Sequence, residues 1–111
     1  MKKLVVLVIC FLLSLPAFAQ IERVEPPNWW TGFKNQDLEL LVYGKDIGKA
    51  EVMVNYPGVE LVKSHKADSP NYLFLDLKIS EEAKPGNFSI SFKMPEGTSE
   101  SCEYELKKRE K

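Results

Sequence analysis

Tyr72-Leu73-Phe74-Leu75-Asp76-Leu77-Lys78-Ile79 decides the fold. Leu73, Leu75, Leu77 and Ile79 fall on every second position, the period of a strand whose side chains alternate between two faces. Beyond this run, residues 79–83 have room for one helical turn at most, because Lys84-Pro85-Gly86 follows and forbids continuation. Phe88, Ile90 and Phe92 then alternate with Ser89 and Ser91, and Tyr104 and Leu106 alternate with Glu103 and Glu105. Before it, Leu38, Leu40 and Val42 alternate with Glu39, Leu41 and Tyr43 until Gly44 stops the run. Residues 50–56 put Val52 and Val54 on one side, Pro57-Gly58 makes a turn, and residues 59–63 read as the second arm of a hairpin. Ile21 and Val24 open a short segment that ends at Pro26-Pro27.

About seven short strands, bounded by Gly, Pro, Asn or Asp at intervals of roughly 8 to 12 residues, predict an all-β sandwich of two sheets. An open barrel of similar strands is the alternative. The stretch Ala83-Lys84-Pro85-Gly86-Asn87-Phe88 looks like the corner that precedes the penultimate strand of many immunoglobulin-like domains. One feature departs from a simple in-out pattern. Leu41 and Tyr43 on one strand, and Tyr72 and Phe74 on another, make the outer face apolar too. Either a neighbouring domain or subunit covers that face, or these side chains fill the edges of the same core.

The amino terminus reads as an address. Lys2 and Lys3 precede an apolar run over residues 4–15, Pro16 breaks it, and Ala17-Phe18-Ala19 offers small residues for a signal peptidase. The run is shorter than the roughly 20 residues that cross a bilayer. The expectation is a signal peptide over 1–19, cleavage before Gln20, and export to the periplasm or the medium. Cys10 lies within the run behind the bulky Ile9, which argues against lipidation. That leaves Cys102 alone in the mature chain, so no internal disulfide is available and packing must hold the fold. Without Lys2 and Lys3, the 15 basic residues become 13 against 16 acidic ones, a net charge of −3. The charges are interspersed, and the balance speaks against nucleic acid and an anionic membrane as partners.

No nucleophile elbow, phosphate loop or dinucleotide fingerprint occurs in the sequence. The single histidine, His65, falls in a polar stretch read as a loop, and no His/Cys spacing suits zinc, so neither metal nor cofactor is expected. A catalytic carboxylate pair would need a cleft and a raised pKa that a small sandwich rarely builds. The expectation is a chain without catalytic residues. The positive signal is Pro26-Pro27-Asn28-Trp29-Trp30-Thr31-Gly32-Phe33. The prolines stiffen an extended approach, and adjacent tryptophans on extended backbone face opposite ways. One can enter the core while the other meets a sugar ring or an adjoining domain, or both can plug the open end of the sandwich. Lys107-Lys108-Arg109 reads as the start of a solvated tail, with 109–111 outside the domain of residues 20–108.

Ile21-Glu22-Arg23-Val24-Glu25-Pro26-Pro27 followed by Trp29-Trp30-Thr31-Gly32-Phe33-Lys34-Asn35 resembles the opening of cyclomaltodextrinase and neopullulanase type enzymes. Leu40-Leu41-Val42-Tyr43-Gly44, Tyr56-Pro57-Gly58-Val59, Ser69-Pro70-Asn71-Tyr72-Leu73-Phe74 and Ala83-Lys84-Pro85-Gly86 follow in the order of that family. The resemblance covers residues 21–108 and departs at Phe33, where methionine is the family's residue. It implies the N-terminal domain of an α-glucan hydrolase of glycoside hydrolase family thirteen, an immunoglobulin-like (E-set type) sandwich before a catalytic (β/α)8 barrel. It further implies a part in dimer formation and in access of glucan, a maltooligosaccharide or a cyclodextrin, to that barrel. Trp29 and Trp30 would then be carbohydrate-binding or interdomain residues, with Leu41, Tyr43, Tyr72 and Phe74 at an interface with the barrel or a second copy. The family's catalytic carboxylates lie on the barrel, and no residue here matches their motifs. The chain ends at Lys111, about where the resemblance places the barrel's start, so a truncated product, an excised piece and a stand-alone relative are all open.

Overall fold

Residues 21–109 are described by a computed structural model; the expected signal peptide over 1–19 lies outside the described residues. Eight strands follow in order: β1 (Ile21–Glu25), β2 (Asn28–Trp30), β3 (Asp37–Gly44), β4 (Glu51–Val54), β5 (Val59–Lys66), β6 (Tyr72–Ile79), β7 (Gly86–Lys93) and β8 (Ser99–Lys107). They form two four-stranded sheets, ordered β1-β3-β6-β5 and β2-β8-β7-β4. The chain is an immunoglobulin-like β-sandwich, and the open barrel is set aside. The strand beyond the anticipated seven is β2. The rigid Pro26-Pro27 pair carries the chain out of the first sheet, and β2 then joins β8 of the second in parallel.

One expectation needs correction. The turn at Pro57-Gly58 does not make a hairpin of β4 and β5. Only an isolated bridge joins Tyr56 to Val59, while β4 pairs with β7 and β5 with β6. Val52 is buried in one sheet and Val59 in the other, so the turn passes between layers and lets both flanking strands face the same core. Gly58 makes that crossing possible. Its φ is +88°, and a Cβ there would lie 2.8 Å from both Cα and Cβ of Ala83. Its carbonyl also accepts a hydrogen bond from the Ser80 amide at 2.7 Å. The β4–β5 turn and the β6–β7 connection therefore close against each other.

The core lies where the alternation placed it. Leu38, Leu40 and Val42 of β3 and Leu73, Leu75, Leu77 and Ile79 of β6 face Phe88, Ile90 and Phe92 of β7 and Tyr104 and Leu106 of β8. Tyr104 is fully buried, yet its hydroxyl donates to the Pro26 carbonyl at 2.9 Å, which ties β8 to the point where the chain changes sheets. Among the described residues every buried side-chain nitrogen or oxygen has a partner. This meets the requirement that polar groups leaving water be satisfied. Cys102 is a free thiol, half-buried on β8 opposite Ile90. Burial, reinforced by the neighbouring Glu103, pushes it from 9.0 up to about 11.

Two outcomes follow from this packing. Gly58→Ala should lower unfolding free energy by about 2 kcal/mol or more, because it combines a left-handed backbone with a backbone clash; urea titration followed by circular dichroism measures it. The Cys102 thiol is protonated below pH 9 in both folded and unfolded chains, whereas between about 9 and 11 the unfolded chain ionises first. Stability should therefore fall across that interval, and Cys102→Ala should flatten the decline.

Candidate functional site

Two surfaces and one side-chain cluster stand out from the sandwich. The first is the outer face of the sheet β1-β3-β6-β5. Leu41 pairs directly with Phe74, and Tyr43 with Tyr72, across β3 and β6. Because side chains alternate, filling the core with Leu40, Val42, Leu73 and Leu75 forces these four outward. All four are half-buried, and none belongs to the core cluster or packs against it. The structure thus separates the two readings left open by the sequence: the apolar residues form a second face and do not fill the core's edges. Neighbouring strands partly shield them. Tyr43 and Tyr72 lie 4.9 Å apart between ring centroids, and the Arg23 guanidinium of β1 sits 5.3 Å above Tyr43. On the opposite side, the His65 ring stacks on Phe74 at 5.3 Å and 17°.

The second surface is the end of the other sheet. Trp29 sits opposite Leu106 and packs against the core, while Trp30, opposite Lys107, is 36 % exposed. The pair thus splits, one ring inward and one outward, as extended backbone requires. Trp29 meets Trp30 edge-on at 5.6 Å and Phe33 at the same separation. An open depression of about 550 Å³ is lined by Trp30, Phe33, Lys107, Lys108 and Arg109. Lys107, Lys108 and Arg109 are all exposed, in keeping with a solvated stretch, yet two of them are tied to the sheet. Lys107 belongs to β8, and its carbonyl accepts the Thr31 amide at 2.9 Å. Arg109 lies 4.5 Å over the Phe33 ring and donates to the Gly32 carbonyl at 3.3 Å. The positive φ of Gly32, +87°, turns the chain so that this carbonyl and Phe33 both reach Arg109. The result is one aromatic wall beside three cations.

The two candidate residue sets belong to different sheets. Trp29 and Trp30 lie on an edge strand of one, and Leu41, Tyr43, Tyr72 and Phe74 line the outer face of the other. Sequence reasoning missed the third feature. His65 is not in a loop but on β5, which runs to Lys66. A bulge between Leu61 and Lys63 resets the register so that His65 faces outward opposite Phe74. Its Nε2 lies 3.4 Å from Asp76 Oδ1 and 3.5 Å from Glu39 Oε2. The polar run Lys63-Ser64-His65-Lys66 suited a loop equally well, and a bulge on an edge strand leaves little pattern for periodicity to catch.

A second open hollow, about 380 Å³, lies between the β4–β5 turn and the β6–β7 connection, against Tyr56, Gly58, Ser80, Glu82 and Lys84. The Tyr56 hydroxyl donates to the Lys84 carbonyl at 2.9 Å and its ring packs on Phe88 at 5.2 Å. Tyr56 thus has a structural role in closing that corner.

Compared with known families, the chain matches the family model described as "Cyclomaltodextrinase, N-terminal" over residues 23–110. That span contains both tryptophans and all four residues of the outer apolar face.

The unequal burial of the two indoles has a measurable consequence. Trp29→Ala should cost about 3 kcal/mol of stability, the scale for removing an aromatic ring packed on a core. Trp30→Ala should cost less than about 1 kcal/mol, as exposed substitutions do. Urea denaturation followed by far-ultraviolet circular dichroism separates them.

Proposed function

Because the chain belongs to the cyclomaltodextrinase N-terminal domain family, we propose that it serves as a non-catalytic accessory module of an exported α-glucan hydrolase. In this role it docks through the outer face of the sheet β1-β3-β6-β5 onto the catalytic (β/α)8 barrel or a second copy, and leaves bond cleavage to the barrel. The observation that carries the reading is the apolar quartet Leu41, Tyr43, Tyr72 and Phe74, which the core does not use. Aromatic residues in a clustered patch are the anchors that protein interfaces favour, and Arg23 beside them supplies a rim charge. The leader over residues 1–19 directs the module to the periplasm or the medium.

Trp30 is the group offered to glucan. An exposed indole stacks on the apolar face of a pyranose ring, and the lysine and arginine donors around the depression reach sugar hydroxyls. A second reading, an interaction domain indifferent to sugars, draws on the same depression: it is open, and its polar lining is entirely cationic.

Sedimentation velocity tests the docking face. The chain mixed with the catalytic barrel of a cyclomaltodextrinase-type enzyme should form a complex, and the double substitution Tyr72→Glu, Phe74→Glu should weaken it at least about tenfold. That factor corresponds to roughly 1.4 kcal/mol, modest for loss of interface anchors. A chain that stays monomeric both alone and beside the barrel would remove the docking role. Isothermal titration with maltooligosaccharides and cyclodextrins decides between the two readings. Heat that disappears in Trp30→Ala supports the glucan contact, and no heat in the parent chain favours the interaction domain.

A further inference from the structure

We propose that Glu39, His65 and Asp76 form a three-ligand site for a first-row divalent transition-metal ion such as zinc. The three side chains project from adjacent strands β3, β5 and β6 on the outward face of one sheet. Their ligand atoms all lie within 4.8 Å of one another. The inference stands on this geometry alone and needs neither the docking role nor the sugar contact.

Three observations converge on it. First, Glu39 and Asp76 are directly paired across β3 and β6. Like charges facing each other on a sheet are destabilising, so two carboxylates in register invite a cation between them. Second, the imidazole is already aimed at them. Stacking on Phe74 fixes the ring plane, and Nε2 approaches both carboxylates, at 3.4 and 3.5 Å. Those separations are long for hydrogen bonds but match the edge of a coordination tetrahedron, roughly 3.3 Å when metal–ligand bonds are about 2.0 to 2.1 Å. Third, the two carboxylate ligands are open to an ion arriving from solvent. Glu39 and Asp76 also line an open depression of about 560 Å³ beside Val62 at the β5 bulge.

The donor set defines the class of ion. One imidazole nitrogen with two carboxylate oxygens suits zinc, nickel, copper or cobalt, whereas calcium and magnesium prefer oxygen alone. Two carboxylates balance the charge of a divalent ion, and a solvent-facing fourth position accepts water. Each ligand comes from a different strand, so bound metal would clip the edge strand β5 to the two central strands β6 and β3. Among the described residues Cys102 is the only cysteine, so no disulfide supplies such a staple there.

The test uses the untagged chain, freed of metal and titrated with zinc chloride. His65 is the only histidine in the sequence, so its ring resonances report the site without ambiguity. Zinc should shift the Nε2 resonance, saturate at one ion per chain and raise the melting temperature, and calcium should do none of these. His65→Gln and Asp76→Asn should each weaken zinc binding by at least about tenfold, the loss that even an outer-shell change produces. Glu39→Gln alters an exposed side chain, and it should weaken binding in the same direction with the fold intact. Cys102→Ser should bind as the parent does, since the thiol lies on the other sheet. Unmoved His65 resonances, or binding lost in Cys102→Ser and kept in His65→Gln, would overturn the assignment.

Discussion

The pressing together of two apolar strand faces, with no covalent bond between them among the described residues, is the constraint on which the rest of this molecule depends. Ordering each backbone residue costs about 1 to 2 kcal/mol, and each fully buried Leu, Ile or Phe returns about 1.5 to 3 kcal/mol. A domain this small must therefore commit its alternating positions to the interior almost without exception. Leu40, Leu75, Ile90 and Phe92 are each fully buried in that interior. The polar groups that enter it are few and satisfied, as with the Tyr104 hydroxyl on the Pro26 carbonyl and the Thr31 amide on the Lys107 carbonyl. Gly58 belongs to the same constraint, since the two turns that seal one end approach too closely for a side chain.

Once the inward positions are spoken for, an apolar side chain facing outward requires a different explanation. Leu41, Tyr43, Tyr72 and Phe74 share strands with core residues and belong to the opposite face by parity alone. The chain belongs to the cyclomaltodextrinase N-terminal family, and the docking role proposed above would give such a face a partner. The tryptophan end is independent of it. Trp29 anchors β2 to the core, and Trp30 beside Phe33 and Arg109 presents one exposed indole among cations. A buried ring and an exposed one are thus carried by neighbouring residues of opposite orientation.

Much of this was legible in the sequence, for identifiable reasons. Period-two alternation over Leu73, Leu75, Leu77 and Ile79 and over Phe88, Ile90 and Phe92 specifies face and burial together, and both agree with the structure. The opposite orientations of Trp29 and Trp30 follow from the same rule. Alternation does not say which strands pair. Pro57-Gly58 is an equally good turn within a sheet or between sheets, and only the core shared by Val52 and Val59 selects the crossing. The strand β2 is three residues long and pairs in parallel, too short to leave a period. The place of His65 on a strand and its cluster with Glu39 and Asp76 escaped notice because a bulge shifts it by one position, and its carboxylate neighbours are separated from it by 26 and 11 residues in the chain. Proximity that depends on register across three strands is invisible to spacing.

The central claim is that the outward apolar residues are surplus to folding. The equilibrium stability of the Tyr72→Thr, Phe74→Thr double variant tests it most directly, because threonine keeps strand preference while removing both rings. The account predicts a loss of no more than about 2 kcal/mol, the worth of cross-strand and stacking contacts, with cooperative unfolding preserved. A loss of about 6 kcal/mol or more, the sum expected for two aromatic rings removed from a core, would contradict it.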